Sequence, residues 1–283
     1  MTSHGTPDYI VFNQMDKWAN INNLVHMDIG EFNLEIPQGS LPKTLECLII
    51  KGYTHAILPD TLPHGLLKLV LGVYNNSLDY LPWTIESIVL GTKFNFHINH
   101  LPVRLRSLKM GNIFNKNLLL HCLPPTLKKL HLSRAFNQQL ENGHLNQCDM
   151  ELLVFGKFFN YPLNRDWIPT SLLYLCLSDM YNQPISYLPD KLIHLRFGNC
   201  FNVSFSFKLP STLKILEFGS SFNQDNITED IIPPSVTYLF LGSSFNQPIK
   251  YLPPNLEKLY LPSFYKHPIC KSFLNHKLKI KLY

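Results

Sequence analysis

Ile232-Pro233, then Leu239-Phe240-Leu241-Gly242, then Phe245-Asn246-Gln247-Pro248-Ile249 form one phrase, and Leu252-Pro253 begins it again. Recurrence at about 20 residues marks a solenoid, in which each unit is one turn of a coil and buries its apolar face against the next. Proline sets the register, at Pro42, Pro63, Pro82, Pro102, Pro124, Pro169, Pro189, Pro210, Pro233 and Pro253. The steps are 19 to 23 residues, except for one gap of 45. A unit lacking its proline fills that gap, since Met150, Leu153, Phe155-Gly156 and Phe159-Asn160-Tyr161-Pro162-Leu163 keep the other slots. Eleven units therefore run from Leu41 to Ile269, and a degenerate twelfth precedes them at Met27, Ile29-Gly30 and Phe32-Asn33.

The middle of each unit reads L-x-x-L-x-L-G, as in Leu66/Leu69/Leu71-Gly72. Its last two apolar residues are two apart, which is strand spacing with one face inward. Strands of about 3–5 residues, stacked one turn apart, give a parallel sheet that advances about 4.8 Å per turn. Proline has no N–H, so it belongs in the turn before the strand, and glycine after the strand is expected to let the chain turn sharply. The aromatic slot, Tyr74, Phe94, Phe114, Phe136, Phe159, Tyr181, Phe201, Phe222 and Phe245, predicts a continuous stacked spine. The asparagine after it predicts an inward structural ladder of Asn95, Asn115, Asn137, Asn160, Asn182, Asn202, Asn223 and Asn246. The sequons at Asn75 and Asn202 fall in that slot and are expected to be buried; a third lies at Asn226.

The blocks Phe245-Asn246-Gln247-Pro248-Ile249 and Tyr181-Asn182-Gln183-Pro184-Ile185 resemble the FNIP repeat, a relative of the leucine-rich repeat known chiefly from amoebae and their giant viruses. The resemblance covers residues 27 to 269. It implies a β-rich, leucine-rich-repeat-like solenoid of 11–12 turns, with a short-stranded parallel sheet on the concave face and irregular or 3-10 convex turns. It also implies protein–protein interaction without enzyme activity. Residues 1–26 are expected to be an N-terminal segment and cap, and 270–283 a C-terminal capping segment. In that segment the lysines of Leu278-Lys279-Ile280-Lys281-Leu282 would guard an exposed edge. Residues 138–149, without proline, predict a bulge or loop.

Composition narrows the function classes. Hydrophobic residues make up 45% and charged residues 16%, which indicates an ordered chain. A net charge of +5 permits an acidic partner and falls short of a committed nucleic-acid binder, so single-stranded nucleic acid ranks third. Six cysteines without a CxxC pair, and no signal-like start, suggest reduced thiols and an intracellular, cytoplasmic protein, in the host cytoplasm if it is viral. No apolar run reaches membrane-span length. No phosphate-binding loop, G-x-S-x-G or H-E-x-x-H is present, so neither cofactor nor catalytic residue is assigned. His121, Cys122, His144 and Cys148 are zinc-ligand types, but their spacing fits no zinc pattern and loop residues are the preferred reading.

If the repeated slots are structural, partner information must sit at the outward strand positions. Lys109, Lys129, His131, Tyr174, His194, Arg196, Tyr238, Phe240 and Tyr260 are selected there as the candidate binding residues on the concave face. They combine an aromatic anchor with a basic strip in which Glu217 is the sole acid, a pairing suited to an acidic or phosphorylated protein segment. A structural or assembly role is the alternative.

Overall fold

The computed structural model describes residues 18–140, 145–166, 168–225, 227–274 and 277–283. They form a parallel β-solenoid of about 12 turns with almost no helix. The chain divides into two compact bodies between Lys129 and Leu130. The N-terminal body carries β1 (His26–Asp28), β2 (Cys47–Ile50), β3 (Lys68–Leu71), β4 (Ser87–Leu90) and β5 (Ser107–Lys109), each parallel to the next. β6 (Lys129–His131) straddles the division. The C-terminal body carries β7 (Leu152–Val154), β8 (Tyr174–Cys176), β9 (His194–Arg196), β10 (Ile215–Glu217), β11 (Tyr238–Phe240), β12 (Lys258–Leu261) and β13 (Lys279–Leu282), again paired in sequence order and parallel. Among the described residues the only helical element is the 3-10 turn Lys271–Phe273.

Each strand is brief because turns close in on both sides. The register proline opens a tight turn, its carbonyl accepting the N–H three residues on, as in Leu66 to Pro63 at 3.1 Å and Leu256 to Pro253 at 3.0 Å. The inner leucines are fully buried, including Leu69, Leu130, Leu195 and Leu239 at 0% exposure. The outward neighbours are partly or wholly exposed, except for the buried Cys47 of β2.

The aromatic slot stacks turn upon turn. In the N-terminal body, Tyr53 and Tyr74 lie 6.4 Å apart and Phe94 and Phe114 5.8 Å apart, with nearly parallel rings. In the C-terminal body a spine runs Phe136, Phe159, Tyr181, Phe201, Phe222, Phe245, Tyr265 at 5.9 to 6.5 Å, the spacing of offset stacks. Phe197 and Phe218 add a second layer, stacked on Phe201 and Phe222 at 4.2 and 3.8 Å.

Two slots work differently from the expectation. Among the described glycines only Gly30 and Gly39 have positive φ. After β1, Gly30 does turn through left-handed backbone as expected, but from Gly52 onward the described post-strand glycines do not. They are needed because successive turns press together there. A Cβ at Gly91 would overlap the carbonyl of Gly72, and one at Gly242 the carbonyl of Gly219. The asparagines are at the surface rather than inward, partly or fully exposed. Their side-chain carbonyls accept the backbone N–H of the next turn at seven positions, as in Asn95 from Asn115, Asn182 from Asn202 and Asn202 from Asn223, all at 2.9 Å. Asn137, Asn160, Asn223 and Asn246 act in the same way on Asn160, Asn182, Asn246 and Lys266. The sequon residues Asn75 and Asn202 are accordingly exposed, and Asn226 lies outside the described residues.

A hydroxyl row adds a device that the repeat pattern did not reveal. The second residue after the proline is often Ser or Thr, and its hydroxyl donates to carbonyls of the preceding turn. Thr84 reaches His64 and Leu66 at 2.7 and 2.9 Å, and Thr212 reaches Asp190 and Leu192 at 2.7 and 2.8 Å. These contacts satisfy carbonyls that the short strands leave unpaired.

Candidate functional site

On the outer face of the C-terminal body the register lays out two rows. One runs Tyr174, His194, Ile215, Tyr238, Lys258, Lys279, and the other Cys176, Arg196, Glu217, Phe240, Tyr260, Lys281. Six of the nine sequence-selected residues, Tyr174, His194, Arg196, Tyr238, Phe240 and Tyr260, therefore share one continuous surface. Lys109 and Lys129 are exposed but belong to the N-terminal body, and His131 is half-buried at the start of the C-terminal one.

Tyr238, Phe240 and Tyr260 form one cluster, while Tyr174 stands apart with its ring edge-on to His194 at 6.3 Å. Tyr238 and Tyr260 have ring centres 5.1 Å apart, and Phe240 and Tyr260 5.7 Å. Tyr283 stacks on Phe240 at 4.8 Å, and its hydroxyl donates to the Leu241 carbonyl at 2.9 Å. Lys281 places its ammonium 5.6 Å from the Tyr260 ring centre. Burial, and then the hydrogen bond with Tyr260, push the Tyr238 hydroxyl up to about 12. Tyr283 and Lys281 escape a reading of repeat slots because they lie beyond the last repeat. Their only sequence signal is the alternation of the final strand.

The ionic part differs from a plain basic strip. His194 meets Glu217 at 2.9 Å, and Arg196 approaches the other carboxylate oxygen at 3.9 Å. The His194 hydrogen bond, with the charges of His194 and Arg196 behind it, holds the Glu217 carboxyl below its ordinary range against the opposing effect of burial. One acid thus faces both of these basic groups. Lys258, Lys279 and Lys281, exposed beside the tyrosines, form no ion pair among the described residues, so the unpaired positive charge lies at the aromatic end. A cleft of about 230 Å³ separates the strand row from the turn that follows it, lined by Arg196, Glu217, Phe240 and Tyr283 together with Asp179 and Asn199. Asn199 donates to Asp179 at 3.2 Å, and Ser220 to Asn199 at 3.1 Å.

Three of the four zinc-ligand types fall among the described residues. Cys122 is buried, in the N-terminal body, and burial pushes its thiol up to about 11, which disfavours the thiolate a metal needs. Cys148 is buried in the C-terminal body, His121 sits in left-handed backbone, and His144 lies outside the described residues. Among the described residues no three His, Cys, Asp or Glu converge.

The FNIP Repeat family model matches residues 114–145, 159–200, 201–244 and 222–264. The chain carries FNIP repeats. Two FNIP repeat-containing proteins of Dictyostelium discoideum are 32% and 29% identical over 170 and 192 residues, each match covering 54% of this chain. The FNIP chain spans only 46% and 36% of those relatives' length. A probable serine/threonine-protein kinase of the same organism is 28% identical over 52% of this chain, the match taking in 28% of its own length. Among solved structures, the circular leucine-rich-repeat protein CroV588 superposes with a TM-score of 0.69 at 28% identity, over 92% of this chain and 46% of its own. A TLR13–ssRNA13 complex gives 0.66 at 17% identity, over 95% of this chain and 44% of that one, which shows a shared leucine-rich-repeat fold alone. No helix among the described residues is long and apolar enough to cross a membrane.

Proposed function

We propose that these FNIP repeats are a non-enzymatic, adaptor-like module that recognises a protein segment through the outer strand face of the C-terminal body. The observation that supports this reading is the cluster of Tyr238, Phe240, Tyr260 and Tyr283, ringed by Lys258, Lys279 and Lys281. Aromatic anchors in a partly desolvated cluster supply most of the energy at interfaces, and a charged rim steers the partner and fixes its orientation. The lysines favour an acidic or phosphorylated segment, whose anionic groups would sit over the rim while an apolar side chain covers the rings.

The test is affinity capture from Dictyostelium lysate with the wild-type chain and a Tyr238→Ala, Phe240→Ala variant of unchanged circular dichroism. Proteins retained by the wild type and lost in the variant are expected, with release as salt is raised. Identical retention by both would refute recognition through this face.

A further inference from the structure

The N-terminal body exposes a second surface, on the proline-turn side and away from the strands. Trp83 is 53% exposed and Tyr80 54%, and Leu58 and Val103 are also open to solvent. The Arg104 guanidinium covers one face of the Trp83 ring at 4.5 Å. Beside Tyr80 and Trp83 lies a cleft of about 240 Å³, walled by Pro59, Leu62, Leu81 and Pro82. A second cleft of about 300 Å³ follows along the same edge, using Pro37, Tyr53, Leu58 and again Pro59. The two clefts meet at Pro59, so together they form a seat for something elongated.

We propose that this edge binds a proline-rich segment in the polyproline II conformation, carrying a basic residue. Four features point to that occupant. First, the walls are aromatic rings and prolines, the surface on which pyrrolidine rings pack in known modes of polyproline recognition. Second, a polyproline II strand has no internal hydrogen bonds, so its carbonyls need donors from the partner. The Trp83 indole N–H and the Tyr80 hydroxyl are exposed donors without a partner among the described residues. Third, the pitch fits: three residues of polyproline II advance about 9.3 Å and two turns of the solenoid about 9.6 Å, so prolines three apart stay in phase with alternate turns. Fourth, Asp60 and Glu35 are the charged residues lining the clefts, with no lysine or arginine among the lining side chains. His64 lies 3.4 Å from Asp60 and Gln38 donates to it at 3.3 Å, so that carboxylate is already held towards the groove. An oligosaccharide would also stack on Trp and Tyr, but it needs a denser ring of polar groups than Asp60 and His64 supply beside these rings.

The experiment is isothermal titration of the full chain with a synthetic peptide of roughly nine prolines between two arginines, long enough at about 3.1 Å per residue to cross both clefts. Saturable binding is expected, weakened about tenfold or more by Trp83→Ala and by Tyr80→Ala. Both residues are exposed, and thermal melts like that of the wild type would show that both variants are folded. The same peptide with alanine in place of proline should bind at least about tenfold more weakly. Absence of saturable binding overturns the proposal. So does equal affinity for the alanine peptide, which would reduce the effect to charge. Binding of cellohexaose that is lost in Trp83→Ala, with no response to the proline peptide, would reassign the groove to glycans. None of these readouts involves Tyr238 or Phe240, so the outcome is independent of the strand-face reading.

Discussion

Two tyrosines in the same structural slot should respond in opposite ways to loss of their hydroxyl. Tyr74 is bonded on both sides, donating to the Ser77 carbonyl at 2.6 Å and accepting the Ile57 N–H at 3.3 Å. The Tyr181 hydroxyl is fully buried without a hydrogen-bond partner; the Leu163 amide interacts with it but does not reach hydrogen-bond geometry. Tyr74→Phe leaves an amide and a carbonyl unpaired in a poorly solvated site and should cost about 1–3 kcal/mol. Tyr181→Phe removes a buried hydroxyl whose weak contact with the Leu163 amide falls short of a full hydrogen bond, and should leave stability unchanged or raise it by up to about 1 kcal/mol. The ring stack is retained in both, so the difference isolates the hydroxyl. Urea unfolding followed by far-ultraviolet circular dichroism measures it, and hydrogen exchange at the Ile57 amide gives a local readout that should lose protection only in Tyr74→Phe. The pH dependence adds a sign. Burial raises Tyr74 from its ordinary value of 10.0 to about 12. The folded state therefore keeps a proton that the unfolded state releases, so this stabilisation is complete below pH 10 and is lost as pH climbs from about 10 to about 12. Tyr74→Phe should flatten that part of the alkaline profile. Equal costs for the two substitutions, or an unchanged Ile57 exchange rate, would refute the reasoning.

Other substitutions test the remaining slots. Gly242→Ala puts a methyl into the Gly219 carbonyl and should cost about 1–3 kcal/mol or more by forcing turns apart, read as a lower urea midpoint. Leu239→Ala empties a fully buried position between stacked turns, and a loss of about 2–5 kcal/mol is expected in the same assay. Asn202→Ala removes the acceptor of the Asn223 amide at a solvent-exposed site, so the cost should stay near 0.5–1.5 kcal/mol, roughly what a single solvated hydrogen bond contributes. A much larger loss would mean that the ladder acts cooperatively along the turns.

The sequence by itself determined the coil. The period places Leu69, Leu195 and Leu239 inward, stacks Phe201 on Phe222, and marks where each strand must stop. Those features follow from a pattern that every turn repeats, so each turn's neighbour has the same pattern and the same solution. The candidate site was legible only in part, because alternation along a strand names the outward residues without saying what they meet. Tertiary structure alone decided that Glu217 lies against both His194 and Arg196, and that Tyr283, outside the repeats, stacks on Phe240. It also placed the asparagine ladder at the surface and gave the post-strand glycines from Gly52 onward their reason, which is close approach between turns rather than backbone conformation. These outcomes depend on distances between turns and on which side faces water. A one-dimensional period fixes the order of the turns, and their mutual approach is set by packing in three dimensions.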